Sequence, residues 1–178
     1  RHPGRERQGA QPGDGEHQED LLRRIGDRRH GVGGEDGQRD ALGQQCLAHL
    51  RIRLHGQFDE RHSLLLDNRQ RGGQVGVELL QPFYDQSSGL WLLVNRGWLP
   101  WPDRRTPPQF TTPDGPLELV ARVHVPVGEA FQLQADPAGS AWPRLITAVE
   151  PERLWHQLGR GGMSYEVRLE PGPAAYRA

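Results

Sequence analysis

No apolar run in this chain is longer than a single strand needs. The most apolar window, Leu90–Val94, falls far short of the ~20 residues of a membrane-spanning helix. Between Leu64 and Trp98 three such runs, Leu64–Leu66, Val75–Leu80 and Leu90–Val94, alternate with turn signals at Arg71-Gly72-Gly73-Gln74 and Asp85-Gln86-Ser87-Ser88-Gly89. Short β-favouring runs bounded by Gly, Asp and Ser clusters predict a strand–turn–strand meander.

The same pattern extends on both sides. In His49–Phe58, Leu50, Ile52, Leu54, Gly56 and Phe58 alternate with Arg51, Arg53, His55 and Gln57, as in a half-buried strand of an antiparallel sheet. Asp59-Glu60-Arg61 is a turn, and further strands follow at Ser63–Arg69, Gln74–Pro82 and Leu90–Trp98. Four prolines between Leu99 and Pro108 forbid a central strand and predict a long surface excursion, often a functional feature. Strands are expected again at Leu117–Val125, Phe131–Gln134, Arg144–Val149 and Ser164–Leu169, with loops at Pro137–Ser140 and Pro171–Tyr176. Pro151–Leu158 reads as one short helix, with Pro at its first position and Gly159 just past its end. The fold class is mainly β: a small antiparallel barrel-like sheet, its edges removed by closure, with one helix capping an end.

The first 46 residues differ in kind. No aromatic precedes Phe58, and Leu21, Leu22 and Ile25 form the one small apolar cluster before Ala41. Such a segment buries too little to offset backbone ordering, roughly 1–2 kcal/mol per residue. Two regions are therefore expected: residues 1–46, a disordered polar tail with at most a short helix near Glu19–Ile25, and residues 47–178, the folded domain. The Gly- and Arg-rich tail is also what GC-rich DNA read out of frame would encode. His2, His17 and His30 fit no metal-ligand spacing.

Composition excludes several chemistries. Lys is absent, so no lysine nucleophile or Schiff base is available. The single Cys46 rules out an intramolecular disulfide framework and a cysteine-only zinc site. With a net charge of −1 no global field favours nucleic acid. Ser63 and Ser164 lack a nucleophile-elbow context, and His55 and His62 have no clear third ligand. No catalytic residue and no metal site is expected.

What remains is a set of recognition candidates. Asp67, Asn68 and Arg69 close the second strand, with Asp67 and Arg69 on one face. This is either a local ion pair at the sheet rim or an arginine held ready for a carboxylate. In Asn95-Arg96-Gly97-Trp98, Arg96 and Trp98 share a face, so the guanidinium can lie over the indole. Gly97 would admit a close backbone or ligand. Trp101, between two prolines, is either a lid or an anchor at a surface. Trp142-Pro143-Arg144 repeats that theme. These residues suit a partner-docking domain or a small carbohydrate- or peptide-binding module.

The residues also resemble the Surfeit locus protein 1 family of cytochrome c oxidase assembly proteins, over roughly Leu50–Tyr176. The resemblance rests on Arg53-Leu54-His55-Gly56-Gln57-Phe58-Asp59, Leu66-Asp67-Asn68-Arg69 and Gly76-Val77-Glu78-Leu79-Leu80-Gln81-Pro82. It continues through Leu93-Val94-Asn95-Arg96-Gly97-Trp98-Leu99-Pro100, Trp142-Pro143-Arg144-Leu145 and Tyr165-Glu166-Val167-Arg168-Leu169. It implies a non-enzymatic factor that assists haem a delivery to the catalytic subunit of a haem-copper oxidase. The implied partners are oxidase subunit I or a haem-synthase. The implied location is the inner membrane, with the domain on the periplasmic side, or the mitochondrial inner membrane in a eukaryote. Two membrane helices flank such a domain in the family, one carrying the histidine proposed to meet haem. Neither is legible in this chain, so no haem ligand and no cofactor is expected of it alone. Under the resemblance Arg69 and Arg96 are candidates for haem propionates or partner carboxylates, and Trp98 and Trp101 for apolar contact.

Overall fold

A computed structural model describes residues 22, 47–48, 50–125 and 141–170. The expected strand Phe131–Gln134, the loops Pro137–Ser140 and Pro171–Tyr176, and all of the tail except Leu22 lie outside these residues. The elements in order are β1 (Arg51–Phe58), a 3₁₀ turn (Glu60–His62), β2 (Leu64–Arg71), β3 (Gln74–Asp85), β4 (Leu90–Pro100), β5 (Leu117–His124), β6 (Arg144–Ile146), α1 (Pro151–Leu158) and β7 (Gly162–Leu169).

The fold is mainly β, a closed five-stranded barrel with extra strands and, among the described residues, one complete helix. β1, β5, β7, β4 and β3 form the ring, and β2 and then β6 extend it outward from β3. Closure depends on β3 changing neighbours along its length. Its first half pairs with β2 as far as Leu80↔Leu64, and its last three residues pair with β1 at Phe83↔Phe58, Tyr84↔Gln57 and Asp85↔Gly56. Pro82 falls at the hand-over, where its carbonyl accepts the Asp59 N–H at 2.8 Å. A proline is tolerated where the ladder has a gap, so β3 runs through the residue expected to end it. Gly56 is required on β1: a Cβ there would lie 1.7 Å from the Tyr84 carbonyl oxygen.

The sheet is not wholly antiparallel as expected. β4 pairs with β7, and β2 with β6, in parallel. Both pairs join strands far apart in sequence, where long connections let the chain re-enter in the same direction. α1 sits on the connection from β6 to β7 and begins and ends as expected, with Pro151 at its start and Gly159 left-handed at φ 64°.

Alternation on β1 sends Ile52 and Leu54 inward to meet Phe83, Leu92, Val94, Leu119, Ala121, Val123 and Val167. Leu22 joins this core and is 1% exposed, so one residue of the polar N-terminal stretch packs inside the domain. A second cluster, Leu64, Leu66, Leu80 and Leu93, lies under Ile146, Leu154 and Trp155. Trp155 donates its indole N–H to the Met163 carbonyl at 2.9 Å and rests where a Cβ on Gly162 would stand, 2.4 Å away. The proline-rich excursion after β4 covers a third cluster, Leu65, Val77, Leu79 and Leu99, with Trp101 and Phe110.

Candidate functional site

Two bulges flank the same stretch of β3 and decide what the sheet presents. On β2 the register passes from Leu66↔Glu78 to Arg69↔Gly76, one residue too many on the β2 side. Asn68 takes φ 58° there, a conformation Asn tolerates better than most residues. On β4 it passes from Leu80↔Asn95 to Leu79↔Gly97, so Arg96 is the extra residue and Gly97 takes φ 118°. Bulges re-aim side chains and recur beside sites.

The β4 bulge overturns the expected Arg96–Trp98 stack. Arg96 points inward and is 1% exposed. One terminal nitrogen donates to Gln81 Oε1 at 2.8 Å and lies 3.4 Å from Thr112 Oγ1, and the other donates to the Thr111 carbonyl at 2.9 Å. The guanidinium carbon is 5.1 Å from the Phe58 ring centroid. Burial pulls the Arg96 pKa below its ordinary value, partly offset by Glu60. Arg96 is thus a strut between the barrel and the proline-rich excursion and not a rim group. Gly97 serves the bulge: nothing lies within 4 Å of where its Cβ would stand, so no backbone approaches closely.

Trp98 goes the other way and forms one wall of an open groove of about 510 Å³. Its indole N–H donates to the Arg69 carbonyl at 3.2 Å, and the ring occupies the space a Cβ on Gly76 would need. Asn68, Arg69, Gln70, Arg71 and Gly97 share this lining with Glu78, Asn95 and Arg168. Asn95 Nδ2 donates at 2.8 Å both to Glu78 Oε2 and to Glu166 Oε1. Arg69 Nε lies 3.9 Å from that Glu78 oxygen, and Arg168 Nε donates to Glu166 Oε1 at 3.2 Å. The result is a continuous chain, Arg69–Glu78–Asn95–Glu166–Arg168, crossing four strands. Asn95 Oδ1 accepts the Gly97 N–H at 2.9 Å, which orients the amide.

The other candidates are dispersed. Asp67 does not pair with Arg69, because the bulge breaks their alternation; its Oδ1 accepts from Arg104 at 2.8 Å and from the Asn68 N–H at 2.7 Å. Burial works to raise the Asp67 carboxyl, but these bonds hold it below its ordinary value. Trp101 lies under Arg104, 4.2 Å from guanidinium carbon to ring centroid, and donates to the Thr106 carbonyl at 2.7 Å. Trp142 lies under Arg144 at 4.1 Å and edge-on to His62 at 4.9 Å. So Asn68, Arg69, Gly97 and Trp98 come together, while Asp67, Arg96, Trp101 and Trp142 do not line the groove.

Sequence reasoning did not single out Glu78, Asn95, Glu166 and Arg168. Their signal was present: each lies inside one of the segments that carry the family resemblance, and those segments converge here from β2, β3, β4 and β7.

A separate cluster joins the 3₁₀ turn to the end of α1. Asp59 Oδ2 bonds His62 Nδ1 at 2.6 Å and accepts from Arg160 at 2.7 Å. Arg160 stacks 4.0 Å from the Trp91 ring centroid. Among the described residues no group of three or more His, Cys, Asp and Glu is placed to hold a metal ion.

Compared with known proteins, the chain matches the model of the SURF1 family over residues 16–177. The match begins well before residue 47. No curated protein matches the chain.

Proposed function

The chain belongs to the SURF1 family, a family of membrane-associated cytochrome oxidase assembly factors, and from that premise we propose that it assists haem a delivery to the catalytic subunit by binding rather than by catalysis. Haem a is cargo in this reading. The partner is oxidase subunit I or the haem-synthase that supplies it, met on the periplasmic side of the inner membrane or its mitochondrial counterpart.

The observation that carries the reading is the groove. Separate family-like segments deliver polar residues to one outward-facing place, held by bulges and a hydrogen-bonded network, while the apolar residues around it go to packing. Among the described residues no helix is long and apolar enough to cross a membrane. The carbohydrate-binding alternative has less support, since arginines already cover ring faces of Trp101 and Trp142.

The test is removal of the protein from its native host. Haem a per oxidase subunit should fall, and the reintroduced protein should restore it. Full haem a occupancy in its absence would rule the reading out.

A further inference from the structure

Across three neighbouring strands of the barrel the register lines up three arginines. Arg51 on β1 stands directly opposite Arg122 on β5, and Arg122 directly opposite Arg168 on β7. Their chain neighbours Ile52, Ala121 and Val167 point into the core, so alternation puts the row on the outer surface of the sheet. Exposed Arg53 follows two residues along β1 on the same face. Like charges directly opposite one another work against a sheet, and opposite charges favour it. A surface shaped by stability alone would alternate sign along such a row.

The carboxylates that hold the row lie beneath it. Glu170 Oε2 accepts from Arg51 Nε at 2.8 Å, its other oxygen pairs with Arg122 Nε, and Glu166 Oε1 accepts from Arg168 Nε at 3.2 Å. The Glu170 and Glu166 side chains are 15% and 6% exposed, against 58%, 52% and 46% for Arg51, Arg122 and Arg168. The acids are sunk and fix the arginine stems, so the outermost layer is cationic. Glu118, a further acid on this face of β5, lies four residues from Arg122 and opposite His55.

Spacing selects the partner. Residues directly opposite in an antiparallel sheet stand about 5 Å apart. Side chains three and four residues apart on a helix recur at about 5–6 Å, so a line of helical carboxylates keeps step with the row. Side chains on one face of an extended strand recur every ~6.7 Å and fall out of step by the third arginine. The row itself carries no indole or phenol ring of the kind that anchors a bilayer interface.

We propose that the outer face of β1, β5 and β7 docks a partner helix lying across the strands, with a stripe of Asp or Glu at i, i+4 and i+7 set on Arg51, Arg122 and Arg168. This surface meets the groove at Arg168 but needs no ligand there, and so goes beyond the role proposed above.

The probe is a labelled alanine-rich helical peptide with a single stripe of glutamates, titrated into the whole chain by fluorescence anisotropy. A peptide of the same composition with its glutamates dispersed around the helix is the comparison. Vesicles of phosphatidylglycerol and phosphatidylcholine are tested by co-sedimentation. The striped peptide should bind about tenfold more tightly than the dispersed one, and about 1 M salt, which screens charges beyond about 3 Å, should abolish the difference. Arg51→Gln and Arg122→Gln should each weaken the striped peptide about threefold, and the two together about tenfold. Arg105→Gln, a charge lost from the exposed proline-rich excursion, should change nothing. Urea unfolding separates docking from structure. Arg122→Gln relieves the like-charge opposition while Arg51 still holds Glu170, so its midpoint should stay level or rise. A fall in that midpoint would make the row structural and overturn the proposal. So would equal binding of the two peptides, an equal loss in Arg105→Gln, or vesicle binding that depends on Arg51 and Arg122 when the striped peptide does not bind.

Discussion

Arg96 and Arg69 sit 27 residues apart in sequence and on opposite surfaces of the sheet, so the same substitution should do different things to them. Replacing Arg96 by Met strands Gln81 Oε1 and the Thr111 carbonyl inside the protein and frees the excursion they hold. A loss of about 3 kcal/mol in urea unfolding is expected. Arg69→Gln, half-exposed, should cost less than about 0.5 kcal/mol. Equal costs would mean that Arg96 is not the strut described. Together with Asp67 and Glu170, whose carboxyls are also held low, Asp59 contributes to the pH dependence. Burial alone would raise its carboxyl, yet the bonds from His62 and Arg160 hold it below the ordinary 3.8. A depressed carboxyl stabilises the folded state above its ordinary value and loses that contribution as pH falls through its folded value. Urea midpoints should therefore fall as pH drops below about 4, and Asp59→Asn should flatten that part of the curve. An unchanged curve would place the acid sensitivity elsewhere.

At the scale of the element, periodicity was a reliable guide wherever the chain kept it. The exposed–buried alternation of β1 and the Pro151–Gly159 helix frame are both found as written in the residues. Alternation misled at the bulges, because one inserted residue inverts every face beyond it. Alternation therefore predicts the wrong side of the sheet for Arg96. Gly97 holds the clue, since a glycine inside a strand often marks a bulge. Asn68 is the corresponding device on β2. Asn68→Gly should keep the fold within a few tenths of a kcal/mol, whereas Asn68→Val, β-branched at positive φ, should cost about 1–2 kcal/mol. Equal stability of the two by thermal unfolding would mean that the bulge relaxes and the groove's β2 wall is not fixed.

For the whole molecule, closure of the sheet was legible from the number of short strands and their turn signals, whereas the pairing was not. Parallel partners such as β4 and β7 are set by long connections that carry no local signal. The same is true of Leu22: its apolar character is visible in sequence, but nothing local says that this residue reaches the core. The groove depends on this global assembly, since its network is complete only when β2, β3, β4 and β7 are side by side. Motifs read strand by strand include Arg69 and Trp98 of the groove lining but not Arg168. The most direct measurement is therefore haem a per assembled oxidase in host cells whose own copy carries Arg69→Gln together with Arg168→Gln. The account predicts a marked fall, with the variant present at normal abundance and folded. Haem a occupancy equal to that of the unaltered protein would contradict it.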